Sequence, residues 1–188
     1  MRAAEAVRMP KRRKIVMSDE CKILDPTAFG LFFVALVSLP LALAGFFNGL
    51  GIENEIMVHA PKLLMVGGFF IFLASLFAYR AGANFGFIVF GLVALGVFYA
   101  GYDGGDLWIS IVLGIIYLLC LVWSVRAHTL KTLTIILFTT ALVFFANGCV
   151  VEYGEDWAWL FLGVAAILNF AFNIYLAYAL ADENVPCY

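Results

Sequence analysis

The sequence predicts an all-α integral membrane protein with six transmembrane helices, and two observations carry this prediction. Hydrophobic residues make up 65% of the 188-residue chain and charged residues 13%, whereas soluble domains are about half apolar and about a quarter charged. Six apolar runs follow one another, most of them close to the roughly 20 residues with which a helix crosses the hydrocarbon core. A small soluble globule cannot bury this much apolar surface, so we expect lipid around most of the protein.

The chain begins with a polar, basic segment. Residues 1–24 contain seven of the eleven Lys and Arg residues, and the apolar stretch of a secretory signal is missing after their KRRK cluster. We predict a disordered basic cytoplasmic arm over residues 1–24, a transmembrane channel domain over residues 25–183 and a cytoplasmic tail over residues 184–188.

The apolar runs lie near residues 28–50, 61–79, 85–101, 107–126, 130–151 and 157–180. Each run is continuously apolar and lacks the alternation of a transmembrane β-strand, so helices are predicted throughout. The third run is short for a full crossing. Because the connections are short, neighbouring helices are predicted to be antiparallel.

Charges in the connections predict the orientation. Arg80, Arg126 and Lys131 follow even-numbered crossings and therefore share a side with the basic arm. The opposite side has one basic residue near it, Lys62, and carries the carboxylates Glu53, Glu55, Asp103, Asp106, Glu152, Glu155 and Asp156. Short loops rich in Lys and Arg stay cytoplasmic, so both termini are predicted to be inside the cell, with the protein in the plasma membrane.

No ionisable residue lies deep in any run, which excludes several classes of function. Proton relays and voltage sensors use intramembrane charges, haem proteins need axial ligands such as His, and covalent catalysis needs a nucleophile beside a base. The four Cys form no CxxC pair, and His59 and His128, assigned to short loops, lack ligand spacing. We expect no enzyme activity, no cofactor and no metal. The net charge of −2 argues against a nucleic-acid partner.

Small and neutral polar residues recur at every fourth position in the first and last runs. These residues are Gly30, Val34, Ser38 and Ala42, and then Ala165, Asn169, Asn173, Ala177 and Ala181. Residues four apart share a helix face, so each stripe either allows close helix packing or forms a polar lane beside a pore. A buried amide costs on the order of a few kcal/mol unless it is hydrogen-bonded, which favours the lane at Asn169 and Asn173. Asn48 and Asn147 are expected at the membrane interface.

Three segments resemble the acetate uptake transporter family, also called succinate–acetate permeases. They are LDPTAFGL (24–31), FLASLFAYRAGANFGFIVFG (72–91) and AFNIYLAYALADE (171–183). The resemblance extends from Asp25 to Glu183. It implies a homohexamer with a six-helix pore inside each subunit, which passes small monocarboxylates such as acetate and, in some members, succinate.

The resemblance also implies site residues. The first motif is matched by Asp25, Pro26, Gly30 and Leu31, and the second by Tyr79, Arg80, Gly82, Asn84, Phe85 and Gly86. We predict substrate contacts at Asp25, Pro26, Gly30, Leu31, Asn84, Phe85 and Asn173. The family's narrow point, built from Phe, Tyr and Leu, aligns with Val34, Val93 and Thr140. Asn173 occupies a position linked to substrate choice, where smaller residues are usual.

The hypothesis from the sequence is a pore for small weak acids or their anions. An anion would need donors, for which Asn84, Asn169, Asn173 and Thr140 are the candidates. Alternatively, the protonated acid crosses and its proton comes from bulk water. Two rivals remain open, namely a channel for a small neutral solute such as urea or ammonia, and a membrane scaffold that transports nothing.

Overall fold

The computed structural model describes residues 26–182, and this part of the chain forms six long helices. They are α1 (Pro26–Gly49), α2 (Ile56–Arg80), α3 (Asn84–Asp103), α4 (Leu107–Arg126), α5 (Lys131–Tyr153) and α6 (Asp156–Ala181). Each is long and apolar enough to cross a membrane. The all-α class and the six membrane spans are therefore confirmed, and the protein is a multi-pass membrane protein. The basic arm, Asp25, Glu183 and the tail over residues 184–188 lie outside the described residues.

Two predicted boundaries differ from the structure. Helix α2 begins at Ile56 rather than near residue 61, and the Asn54 side chain just before its N-cap residue Glu55 accepts a hydrogen bond from the Ile56 backbone N–H at 3.2 Å. Pro61 is accommodated inside α2, and His59 belongs to this helix and not to a loop. Helix α3 is 20 residues long and continues to Asp103, so the third crossing is not short.

Helix ends follow recognisable local chemistry. The Asp106 carboxylate caps α4 by accepting a hydrogen bond from the Ile109 backbone N–H at 2.9 Å. Helices α3 and α5 end at Gly104 and Gly154, whose φ angles of 76° and 64° suit glycine because it carries no Cβ. These caps allow the short connections that make successive helices antiparallel.

The six helices pack as a ring in chain order, which α1 and α6 close through the most extensive contact in the bundle. The α3–α4 junction is the least packed pair of neighbours. It is bridged by the buried Tyr117, whose hydroxyl donates to the Val89 carbonyl oxygen at 2.6 Å. Large apolar side chains such as Leu95 and Leu119 point outward, which is the arrangement expected when lipid is the solvent.

Candidate functional site

Two cavities lie inside the ring, one toward each end. The acidic-end cavity reaches the α3–α4 connection at Gly104 and Gly105, on the side of the acidic loops. The basic-end cavity reaches Thr27, Phe85 and Leu133 in the first turns of α1, α3 and α5, on the side of Arg80 and Lys131. Each has a volume of about 120 Å³, which is room for a few water molecules or a solute of comparable size.

The two cavities share the same three side chains, Val34, Val93 and Thr140. We call these residues the collar. Each lies eight or nine residues from the start of its helix, or about 12–14 Å along the helix axis at about 1.5 Å per residue. The three are buried, and their common depth places them in one layer. The cavities therefore lie end to end, on opposite sides of the collar.

A polar cluster adjoins the collar at the junction of α1, α5 and α6. Its members are Ser38, Thr139, Thr140, Asn169 and Asn173, all of them buried. The Asn169 amide nitrogen donates to the hydroxyls of Thr139 at 3.1 Å and Thr140 at 2.8 Å. Its side-chain oxygen lies 2.9 Å from the Ser38 hydroxyl and accepts from the Asn173 amide at 3.0 Å. Both N–H groups of Asn169 and at least one lone pair of its oxygen are therefore used inside the protein.

The cluster leaves one group without a partner. The Asn173 amide nitrogen spends both hydrogens on Asn169, one on the backbone carbonyl at 2.8 Å and one on the side-chain oxygen. Asn173 Oδ1 is buried and has no hydrogen-bond partner among the described residues. An unsatisfied buried acceptor of this kind costs about 1–3 kcal/mol in a folded protein.

Hydrogen-bond geometry decides which terminal atom of the Asn173 side chain is the nitrogen and which is the oxygen. Exchanging its nitrogen and oxygen would set Oδ1 about 2.8 Å from the Asn169 backbone carbonyl oxygen, where two acceptors repel. A backbone carbonyl cannot turn to relieve that contact. The free atom of Asn173 is therefore an oxygen.

This accounting contradicts the expectation that Thr140, Asn169 and Asn173 donate hydrogen bonds to an anion. The Thr140 hydroxyl donates to the Ile136 carbonyl oxygen at 2.7 Å. Both amides are also committed as donors within the protein. The group that this cluster leaves over for a solute is an acceptor.

The residues predicted from the sequence separate into two groups. Leu31, Phe85 and Asn173 line the basic-end cavity. Pro26, Gly30 and Asn84 lie outside both cavity linings. Asp25 is not among the described residues.

Packing and exposure account for two of the residues outside the linings. A Cβ on Gly30 would lie 2.6 Å from Phe90 Cζ, so this glycine permits α1 to approach the Phe90 ring on α3. Asn84 is the exposed first residue of α3, next to Phe85 in the lining of the basic-end cavity, and its role as a pore-mouth donor stays a prediction.

The structure adds polar residues that the sequence did not single out. Thr139 binds Asn169, and a Thr-Thr pair in the middle of an apolar run is the signal that would have found it. Asn147 was expected at the interface, but it lines the acidic-end cavity and donates to the Ser110 hydroxyl at 3.1 Å. Its neighbour could not be identified from the sequence because Ser110 lies on another helix.

Comparison with known proteins identifies a solved structure with a similar fold. No family model and no curated protein matches the sequence. Among solved structures, that of the bacterial acetate channel SatP is similar, with a TM-score of 0.67 over 84% of this chain and 91% of that chain, at 17% sequence identity. The structural match confirms, at the level of the fold, the resemblance found in the sequence.

Proposed function

We propose that this protein is a membrane channel for small monocarboxylic solutes, acetate among them, with the path running inside each subunit. The observation that carries the proposal is the arrangement of the two cavities, which share the lining residues Val34, Val93 and Thr140 and extend toward opposite ends of the bundle. A solved structure with a similar fold is that of a bacterial acetate channel, which supports a carboxylic solute.

The collar suits a small solute that is partly apolar. Two valines and one threonine leave a short constriction with methyl groups on most of its wall, and these can contact the methyl end of a short acid. The described residues that line the two cavities carry no charge. A solute therefore meets no fixed ion that would bind it tightly, and conduction requires easy release.

The basic-end mouth suits the polar end of the same solute. The first turns of α1, α3 and α5 all reach this cavity. The backbone N–H groups of a first helical turn lack partners within the helix and carry a partial positive charge. Three such turns at one mouth favour the approach of a carboxylate there.

Blocking the collar tests the proposal. Val93→Trp adds a large ring to the shared layer and is expected to abolish protein-dependent uptake of labelled acetate into proteoliposomes. Leu95→Trp is the matched control, because Leu95 is on the same helix with 58% of its surface exposed on the outside of the bundle. It should leave uptake unchanged.

A second variant guards against misfolding of Val93→Trp. Val93→Cys is nearly the same size as the native residue, and a methanethiosulfonate reagent should block uptake reversibly after reaction at that thiol. Uptake of acetate that persists in both blocked forms would contradict a path through the collar. Absence of acetate uptake by folded wild-type protein, together with rapid urea entry in stopped-flow swelling, would favour the neutral-solute channel instead. Absence of both fluxes would favour the scaffold.

The setting of the channel is part of the same proposal. The predicted cytoplasmic termini, the plasma membrane and the homohexamer are supported by the charge of the connections and by the family resemblance. A path inside each subunit does not require neighbouring subunits to complete it, so a hexamer would contain six separate paths.

A further inference from the structure

The unpartnered acceptor of Asn173 lies in the wall of the proposed path. Asn173 lines the basic-end cavity, and its side chain is fully buried. It stands eight residues from the end of α6, which is the same depth as the collar residues measured from the same face of the bundle. A solute passing the collar is therefore at the depth of Asn173, whose Oδ1 is buried behind the cavity surface and has no hydrogen-bond partner among the described residues.

We propose that Asn173 selects neutral hydrogen-bond donors, so that the path carries short primary carboxamides such as acetamide as well as protonated short acids, and rejects carboxylate anions. The inference rests on the proposed function, because it assumes that solutes pass the collar. It extends that function to a second class of solute, the small amides, whose N–H₂ group matches the acceptor as the O–H group of an acid does.

A carboxylate anion has no favourable contact at this depth. It presents only acceptor oxygens, which Oδ1 repels. The N–H groups of Asn173 and Asn169 and the hydroxyl of Thr140 are already donated to protein acceptors. The described residues of the cavity wall include no Lys, Arg or His. An anion at this point would lose its water shell without compensation.

A neutral hydrogen-bond donor can form a favourable contact with Asn173 that a carboxylate anion cannot form. Once the Asn173 side chain turns toward the cavity, the O–H of a protonated acid or the N–H of an amide can complete the hydrogen-bonding of Oδ1, which no described residue satisfies. The remaining wall near the collar is formed by Val34, Val93 and Ile136, which suit a methyl group.

Attraction of anions at the basic-end mouth is compatible with rejection at the collar. The partial charge of a helix start acts within its first turn, and the collar lies about 12–14 Å further along the helices. The mouth can therefore concentrate the acid, and only its protonated form continues past Asn173.

Wild-type protein in proteoliposomes provides the first test. Acetamide should enter faster than into protein-free liposomes, at a rate that does not change between pH 5.5 and 7.5. Protein-dependent acetate entry should instead fall by about 100-fold over this range at constant total acetate, because the protonated fraction falls about tenfold per unit above a carboxyl pKa near 4–5. A pH-sensitive dye in the lumen should report acidification with each acetate molecule that enters as the acid.

The outcomes separate this inference from the proposed function. Acetate entry without acetamide entry, or acetate entry that is independent of pH, overturns the selection of neutral donors while the carboxylate channel stands. Entry of neither solute into vesicles containing folded protein overturns the channel itself and the inference with it.

An isosteric pair of variants assigns the selection to Asn173. In Asn173→Thr, the hydroxyl can donate to the Asn169 carbonyl and keep a lone pair for the solute, whereas Asn173→Val has the same shape and no acceptor. We expect the Val variant to conduct acetamide about tenfold more slowly than the Thr variant, the effect of one hydrogen bond. Tyr178→Leu, on the exposed side of α6, is the control and should match wild type. Equal acetamide rates in the Thr and Val variants would show that Asn173 does not select the solute.

Discussion

Among the individual side chains, Asn169 holds the polar cluster together. It joins α6 to α5 through Thr139 and Thr140, and to α1 through Ser38. The two threonine hydroxyls donate their protons to the Ile136 carbonyl oxygen, and their oxygen lone pairs accept hydrogen bonds from Asn169. One amide thereby links three helices beside the collar.

Replacing Asn169 by Leu is expected to lower the free energy of unfolding by about 1–3 kcal/mol, because one buried N–H of Asn173 then loses its acceptor. The measurement is the midpoint of thermal unfolding in detergent. Ser38→Ala is the comparison and should cost less, because Asn169 Oδ1 keeps its bond from Asn173. A larger loss in Ser38→Ala than in Asn169→Leu would contradict this account of the cluster.

The sequence suggested several site residues but not their hydrogen-bonding state. Alignment with the family proposed Val34, Val93 and Thr140 as the constriction, and these three residues line both cavities, whereas their role as a constriction stays a prediction. Thr140 was a candidate donor to the solute, but its hydroxyl donates to the Ile136 carbonyl oxygen. This hydrogen bond could not be identified from the sequence. Asn84 was chosen from a motif alone, and the exposure of the first residue of α3 is not visible in a motif.

Between elements, the backbones of α1 and α6 approach closely where the two helices cross at Gly45 and Gly163. A Cβ on Gly45 would lie 2.4 Å from the Gly163 backbone nitrogen, and a Cβ on Gly163 would lie 3.0 Å from the Phe46 backbone nitrogen. Small residues let membrane helices pack at this distance. Gly45 and Gly163 thus serve close packing, and Ser38 and Asn169, one from each stripe, add a polar contact within the same interface.

Gly45→Ala is therefore expected to destabilise the protein by about 1–3 kcal/mol, because the methyl group meets backbone that cannot turn aside. Gly86→Ala is the matched control in α3. Its added Cβ would find the nearest atom, Ala78 Cβ, at an ordinary 3.5 Å, and alanine stabilises a helix by roughly 0.5–1 kcal/mol relative to glycine. The two unfolding midpoints should move in opposite directions, and equal shifts would contradict a tight α1–α6 crossing.

The apolar runs predicted every helix, whereas they did not predict how the helices face one another. Run length reflects bilayer thickness, which any crossing must match. Helix α2 starts before its apolar run, next to a local hydrogen bond from the Ile56 N–H to the Asn54 side chain, and a hydropathy profile does not contain such a contact. The ring order, the slight α3–α4 contact and the Tyr117 bridge depend on pairing between distant segments, which one sequence does not contain.

Across the whole molecule, most of the described charges are divided between the two ends of the bundle, with Lys62 near the acidic end and Asp182 at the basic end as exceptions. One end carries Arg80, Arg126 and Lys131, and the acidic-end connections carry Glu53, Glu55, Asp103, Asp106, Glu152, Glu155 and Asp156. The helices are antiparallel neighbours, so this division persists across the folded ring. By the preference of Lys and Arg for the cytoplasm, the basic-end cavity should open to the cell interior and the acidic-end cavity to the exterior.

Labelling of single cysteines on intact cells tests this orientation. In a background whose four native cysteines are replaced by serine, Glu53→Cys should react with a membrane-impermeant maleimide, because Glu53 is exposed and the α1–α2 connection is predicted to lie outside the cell. Arg126→Cys, at the equally exposed end of α4, should react only after the cells are permeabilised. The reverse labelling pattern would show that the protein has the opposite orientation in the membrane. Acetate would then reach the three helix starts at the basic-end mouth from outside the cell, and Asn173 would select solutes at the external side of the collar.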